Sequence, residues 1–324
     1  MITKTDLSVL VTGANGFLGA HVVRELGAFG ITFPTDIRAV GSAERYLSID
    51  ITELSAVRSK FPSVDVIIHV AGLAHVFNPS EDAEELFDKV NCQGTRNLFE
   101  VAADKGVKHA VLISSVSVYK KKQGFVAEDD YLEPLSAYAR SKMAAEKAAI
   151  EIAQKSGMRL TILRLATLYG PGDPGNVGRL IRQIASGRFI MPGSGHNYKS
   201  LLHVRDAARA CRCAIENQRE KIEIFNISDQ PRHMLEIVNT IRSGLGKPPL
   251  RFRVPVFLFL AMAKLTSRLP IIGKKIGRLA DTLEKFTTDD AYSAEKITRK
   301  LGFSCREDFA AGINEEIAEM QLKA

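Results

Sequence analysis

The 324-residue sequence has only four cysteines, Cys92, Cys211, Cys213 and Cys305, and they lack the spacing of a disulfide framework. Cys211 and Cys213 form a single C-x-C on an expected helix with no paired histidines, which argues against zinc and any other metal centre. Reduced, buried thiols fit this pattern, as does a cytoplasmic location. The N-terminus lacks the basic–apolar–small order of a secretory leader. No apolar run reaches the roughly 20 residues needed to cross a bilayer. The longest candidate, VPVFLFLAMAKL, covers residues 254–265. Repeats and low-complexity tracts are absent. The net charge of +7 comes without interleaved basic and aromatic residues, so nucleic acid is not an expected partner. What remains is the composition of an ordinary globular protein, 45% apolar and 25% charged, long enough for a large core.

Apolar segments near residues 7–12, 64–70, 108–114, 160–165 and 222–227 alternate with helical patterns. That order predicts an α/β fold with a doubly wound parallel sheet. In LSVLVTGANGFLGAHVVREL a short strand runs into a small-residue turn and then an amphipathic helix. Gly13, Gly16 and Gly19 fall at the turn and the helix start, where glycine lets the backbone approach a pyrophosphate. Free N–H groups and the positive end of the helix dipole then face the phosphates. The pattern predicts a dinucleotide site.

A second helix is expected in SAYARSKMAAEKAAIEIAQKSG. At roughly 3.6 residues per turn, Tyr138 and Lys142 share a face. An ammonium beside the phenol is expected to lower the tyrosine pKa, so that Tyr138 can move a proton near neutral pH. The pair Ser114–Ser115 lies upstream, at the end of an expected strand.

Taken together these landmarks resemble an extended short-chain dehydrogenase/reductase of the nucleotide-sugar epimerase, dehydratase and reductase family. TGANGFLG at 12–19, Asp50-Ile51-Thr52, HVAG at 69–72, ISSVSVY at 113–119, Tyr138 with Lys142, LYGPG at 168–172 and SLLHVRDAARA occur in the family's order. The resemblance implies a Rossmann-type domain from residues 1–170 and about 200–230, with a smaller C-terminal substrate-binding lobe from 171–199 and 231–324. It assigns NAD or NADP to Gly13, Asn15, Gly16, Phe17, Leu18, Gly19, Asp50, Ile51, Val70, Ala71, Gly72, Ser114, Tyr138 and Lys142. Ser115 would hold the reacting oxygen, Tyr138 would transfer the proton, and Lys142 would tune Tyr138 and grip the ribose. His75, Asn176, Arg179 and Lys199 would face a nucleotide-sugar substrate. Family dehydratases carry an Asp-Glu pair where this chain has Val116 and Ser117, so dehydration is not expected. A 4-epimerase or 4-keto-sugar reductase acting on surface-polysaccharide precursors remains, and the family's habit implies a homodimer.

Three points stay open on the sequence. GITFPTDIRAVGSAERY allows a strand ending near Asp36, which with Arg38 close by would suit NAD, or near Val40, where Ser42 and Arg45 would suit NADP. The same catalytic set could serve a 3β-hydroxysteroid or a flavonoid-like ketone, and a non-catalytic dinucleotide sensor is a third class. Finally, the apolar stretch at 254–265, flanked by basic residues, fits a buried helix of the lobe, the reading we favour, or a helix on an anionic membrane surface.

Overall fold

The computed structural model describes residues 7–27, 29–38, 45–74, 83–217, 220–258, 283 and 286–322. Seven parallel strands form one sheet: β1 (Ser8–Thr12), β2 (Ile31–Asp36), β3 (Leu47–Ser48), β4 (Val66–His69), β5 (His109–Ser115), β7 (Arg159–Leu165) and β11 (Ile222–Ile227). Their order is β11-β7-β5-β4-β1-β2-β3. The chain therefore reverses direction across the sheet between β1 and β4, the switch point where open α/β sheets leave a crevice beyond the strand ends. Short strands β6 (Phe125–Val126), β8 (Thr167–Tyr169), β9 (Tyr198–Lys199), β10 (Leu201–His203), β12 (Arg232–His233) and β13 (Ala291–Tyr292) pair off outside it.

Both faces of the sheet are covered, which explains why its strands read as unbroken apolar runs. Alternation sorts their side chains. Val9 and Val11 of β1 pack on one face with Val66 and Ile68 of β4, under helices α1 (Phe17–Leu26) and α7 (Val204–Asn217). Leu10 and Ile67 point to the opposite face, under α2 (Leu54–Lys60), α4 (Gly94–Asp104) and α5 (Ala137–Ser156).

β2 settles the choice of register, since the strand runs through Pro34 and ends at Asp36. The carbonyl of Thr35 accepts from Ala14 on the β1 side, while that of Asp36 accepts from Ile49 on the other. Pro34 is in phase with Asp36, so its missing N–H faces outward. β3 pairs only with Thr35 and Asp36 and does not reach it. A proline costs nothing there.

A third core cluster gathers Tyr169, Ile181, Ile184, Met191, Val238, Ile241 and Ile313 from β8, α6 (Asn176–Ala185), α8 (Met234–Gly244) and the C-terminal helix Phe309–Leu322. Not all of 231–324 joins it. Ile297 and Phe303 pack in the sheet's own core, and Lys296 Nζ donates to the Ile224 carbonyl of β11 at 2.8 Å. The sequence reading drew that segment into the lobe. The helix Glu295–Leu301 is so short, with only Ile297 and Leu301 turned inward, that its pattern does not show which core it joins.

Glu316, fully buried on Phe309–Leu322, accepts from the Gly170 N–H at 3.0 Å, while its other carboxylate oxygen has no partner. Burial, and then the Asp173 carboxylate, push it up to about 8. An acid with a raised pKa favours the fold in its neutral form. That contribution is complete below the ordinary carboxylate range and is lost as pH climbs through about 8. Glu316→Gln is therefore expected to raise the melting temperature over the parent in alkaline buffer but not in acid. Thermal melts across pH check this.

Candidate active site

The loop between β1 and α1 closes on itself. Gly13 adopts φ +69°, and a Cβ there would lie 2.7 Å from the Ala71 nitrogen. A Cβ on Gly19 would lie 1.9 Å from the Gly13 carbonyl oxygen. Both positions exclude any larger residue, and the strand, loop and helix N-terminus stay close enough to cradle a pyrophosphate. His69 braces this approach from beneath. The Thr95 hydroxyl donates to the Asn91 carbonyl, so it accepts from His69 Nε2, leaving Nδ1 to accept from Thr12 at 2.7 Å. Thr12 Oγ1 in turn accepts from the Ala71 N–H. Burial pushes His69 down to about 3, so the ring is neutral.

A cleft of about 1620 Å³ opens beyond the strand ends. Gly13, Gly16, Phe17, Leu18, Gly19, Asp50, Ile51, Val70, Ala71 and Gly72 all line it. Asp36 lines it too, its two oxygens accepting from the Asn15 N–H at 3.0 Å and the Ile37 N–H at 2.8 Å. Asn15 itself does not reach the lining. It supports the loop instead, donating to the Arg38 carbonyl and accepting from the Tyr46 hydroxyl. Arg38 is exposed outside the cleft lining, and His75 lies outside the described residues.

Helix α5 presents Tyr138 and Lys142. Ser136 caps it by accepting from the Ala139 N–H at 3.1 Å, and Gly157 ends it in the left-handed region. Ser115, Tyr138 and Lys142 then meet in the cleft. The expected electrostatics need correction. Burial pushes the Tyr138 phenol up, and its hydrogen bond with Ser115 is what draws it back. Lys142 does not dominate the phenol. Its Nζ donates to the Ile113 carbonyl at 3.0 Å, and burial pulls the amine down to about 8, opposed by Glu146 one turn on. Shared face and shared charge are different things: four residues of spacing fixed the first only.

Beneath these groups runs a buried polar chain that the sequence pattern did not reveal. Ser114 donates to Glu146, so its hydroxyl is committed to the core although the residue lines the cleft. Arg164 of β7 donates to both Glu146 oxygens, at 2.9 and 2.6 Å, and to the Tyr119 hydroxyl at 2.8 Å. Tyr119 donates onward to Asn226 Oδ1 at 2.7 Å. Asn91, in the π-helical turn Asp88–Gln93, holds both backbone groups of Leu73 and donates to Ser141.

Across the cleft, Asn176 and Arg179 line the wall at the start of α6, with Arg179 donating to Asn176 Oδ1 at 2.6 Å. Asp173 caps that helix by accepting from Gly175 and Gly178. Lys199 departs from expectation. It is buried and its ammonium is bound to Asp290, so Ser200 and Asp290 face the cleft in its place. A basic residue is only free for a diphosphate if no carboxylate arrives beside it, and Asp290 comes from about ninety residues away. Tyr119 and Tyr292 complete this wall.

Removing one partner of a buried ion pair leaves an uncompensated charge and costs about 3–5 kcal/mol. Arg164→Met is expected to lose that much in urea unfolding, and the double variant with Glu146→Met to recover most of it. Glu146→Gln is expected to shift the alkaline limb of the pH–kcat/KM profile downward, because Lys142 loses the carboxylate that raises its pKa.

Relatives match this chain over most of its length. An Escherichia coli O157:H7 N-acetyl-alpha-D-glucosaminyl-diphospho-ditrans,octacis-undecaprenol 4-epimerase is 28% identical over 304 residues, covering 90% of this chain and 88% of that one. A Vibrio cholerae UDP-glucose 4-epimerase is 28% identical over 299 residues, covering 85% and 87%. The structure of MoeE5 in complex with UDP-glucuronic acid and NAD superposes with a TM-score of 0.75 at 25% identity, over 98% of this chain and 100% of that one. Residues 9–228 match the family described as NAD dependent epimerase/dehydratase, with the glycine loop, Ser115, Tyr138 and Lys142 all inside the matched span, and the chain belongs to that family.

Proposed function

We propose that the protein is an NAD-dependent 4-epimerase of a nucleoside-diphosphate sugar, UDP-linked by preference, working in the cytoplasm on surface-polysaccharide precursors. One observation carries the reading. The cleft joins Asp36, at the end of β2, to Ser115, Tyr138 and Lys142, with Asn176 and Arg179 on the facing wall. A carboxylate at Asp36 suits two free ribose hydroxyls and would repel a 2′-phosphate, which favours NAD over NADP. The polar wall at Asn176 and Arg179 suits a diphosphate better than a sterol.

NAD would lie along the glycine loop, Asp36, Asp50–Ile51 and Val70–Gly72, supplying a reversible hydride acceptor. The chain's own groups manage the proton and the orientation. Ser115 donates to the reacting oxygen and steadies its charge. Tyr138 takes the hydroxyl proton and returns it, so a depressed pKa is needed; in the free site the Ser115 hydrogen bond draws the phenol down, before that hydroxyl turns to the substrate oxygen. Lys142 adds positive charge close to Gly72, where a Cβ would stand 3.1 Å from its Nζ, and would grip the ribose. Elimination lacks its acid, because Val116 is buried and the Ser117 hydroxyl is a buried, unpaired alcohol. The third core cluster serves as the substrate lobe in this reading, and a homodimer would form through helices that include α5.

Denaturing the purified protein and identifying what it releases tests the proposal. Stoichiometric NAD or NADH is expected. An empty site stabilised only by added NADPH would instead make it a keto-sugar reductase. Tyr138→Phe is expected to lower kcat/KM about 100-fold or more, while retaining the nucleotide. Steady-state kinetics on UDP-glucose with nucleotide analysis of the variant checks both.

A further inference from the structure

The later segments of the lobe depart from the sequence reading. The stretch at 254–265, favoured as a buried lobe helix, is open to solvent at Phe257 and Leu258, and residues 259–265 lie outside the described part. Packing comes instead from the helix Phe309–Leu322, whose Phe309, Ile313 and Ile317 enter the third core cluster. Glu316 is fully buried beside them with one oxygen unpartnered. Burial disfavours a carboxylate, so a group placed there calls for a reason.

From Glu316 a run of hydrogen bonds leads to the cleft. Its Oε2 accepts from the Gly170 N–H at 3.0 Å. The Gly170 carbonyl accepts from the Asp173 N–H, also at 3.0 Å. One carboxylate oxygen of Asp173 then accepts from the Gly175 N–H at 2.6 Å and the other from the Gly178 N–H at 2.8 Å, which fixes the first turn of α6. Asn176 and Arg179 leave that turn into the cleft lining. The path has little slack. Gly170 has φ +133° and Gly172 φ +87°, a backbone suited to glycine. A Cβ on Gly178 would lie 3.2 Å from Glu316 Oε1 and 2.4 Å from the Asp173 carbonyl oxygen, so the unpartnered oxygen stands against α6 itself.

The neighbours of Glu316 favour its neutral form. Asp173 accepts at both oxygens and donates from neither, the pattern of a carboxylate, and a second anion beside it is disfavoured. Glu319 on the same helix adds to the repulsion, and Arg182 of α6 opposes it. Tyr169 and His203 flank Gly312, one turn before Glu316, and carry no charge: burial pushes the phenol up and pulls the imidazole down to about 4. Helix α8 meets this helix at Gly244 through the uncharged Asn314 and Ile317.

We infer that neutral Glu316 is a positioning residue for the diphosphate wall of the cleft, holding Gly170 and, through Asp173, the turn that presents Asn176 and Arg179. The inference rests on the reading of that wall as the nucleoside-diphosphate site. Ionised Glu316 would repel Asp173 and loosen the same turn, so only the protonated protein offers a well-set wall.

Calorimetric titration of UDP into the full chain as purified, in neutral and in alkaline buffer, tests it. Apparent affinity follows the population of the competent form, and with Glu316 pushed up to about 8 it is expected to fall roughly tenfold between about pH 7 and about pH 9. Glu316→Gln keeps an acceptor for Gly170 and cannot ionise. It is expected to bind UDP as the parent does in neutral buffer and to escape the alkaline loss. Titration of the ligand is common to both proteins and cancels in the comparison. With UDP-glucose, the KM of the parent is expected to rise by the same roughly tenfold factor, while the kcat profiles of parent and variant coincide. A parent whose UDP affinity holds in alkaline buffer, or an equal loss in parent and variant, would overturn the inference and leave the epimerase reading standing. So would a variant that shifts the melting temperature alone, the mark of a merely structural role. Absence of UDP binding in either buffer would overturn both.

Discussion

The buried carboxylate of Glu146 ties the working parts together. Through Ser114 it is bound to the end of β5, through Arg164 to β7, and by its place on α5 to the helix that carries Tyr138 and Lys142. Three elements distant in sequence are thereby fixed at one depth, where the sheet ends and the cleft begins. A buried ion pair adds little net stability compared with apolar packing, but breaking it is costly, so it penalises misalignment of these elements. Tyr119 and Asn226 extend the chain to β11 and to the cleft wall. The geometry of Ser115, Tyr138 and Lys142 is inherited from the core.

This arrangement explains which features were legible in the sequence. Five strands were readable because a buried parallel strand has to be apolar along its length. The glycine loop was readable because two of its positions leave no room for a Cβ. Tyr138 and Lys142 were readable because helical spacing is rigid. The ending of β2 was ambiguous, because Pro34 is a strand breaker unless its nitrogen faces an unpaired edge, and that depends on how short β3 is. Lys199 was misjudged for a similar reason. Its partner, Asp290, arrives through the tertiary fold, and nothing near residue 199 foretells it. Glu146 was passed over as one of several charged residues on a helix; only burial separates it from its solvated neighbours. The Tyr138 pKa followed from burial and Ser115 more than from the lysine whose spacing first drew notice.

The cleft lies between the ends of the sheet strands and a smaller apolar cluster, with Asn176 and Arg179 in its lining. Val254 is hydrogen-bonded through both backbone groups to Met191 and Gly193, on the loop that leads to Ser200 in the cleft wall.

The central claim is that the chain oxidises and re-reduces one sugar carbon without exchanging its cofactor. Its most direct test supplies UDP-glucose deuterated at C4, with no added nicotinamide nucleotide, and follows the products by mass spectrometry and NMR. The account expects UDP-galactose to form with the deuterium still at C4. Turnover that occurs only with added reduced nucleotide, or a product that has lost the label, would contradict it.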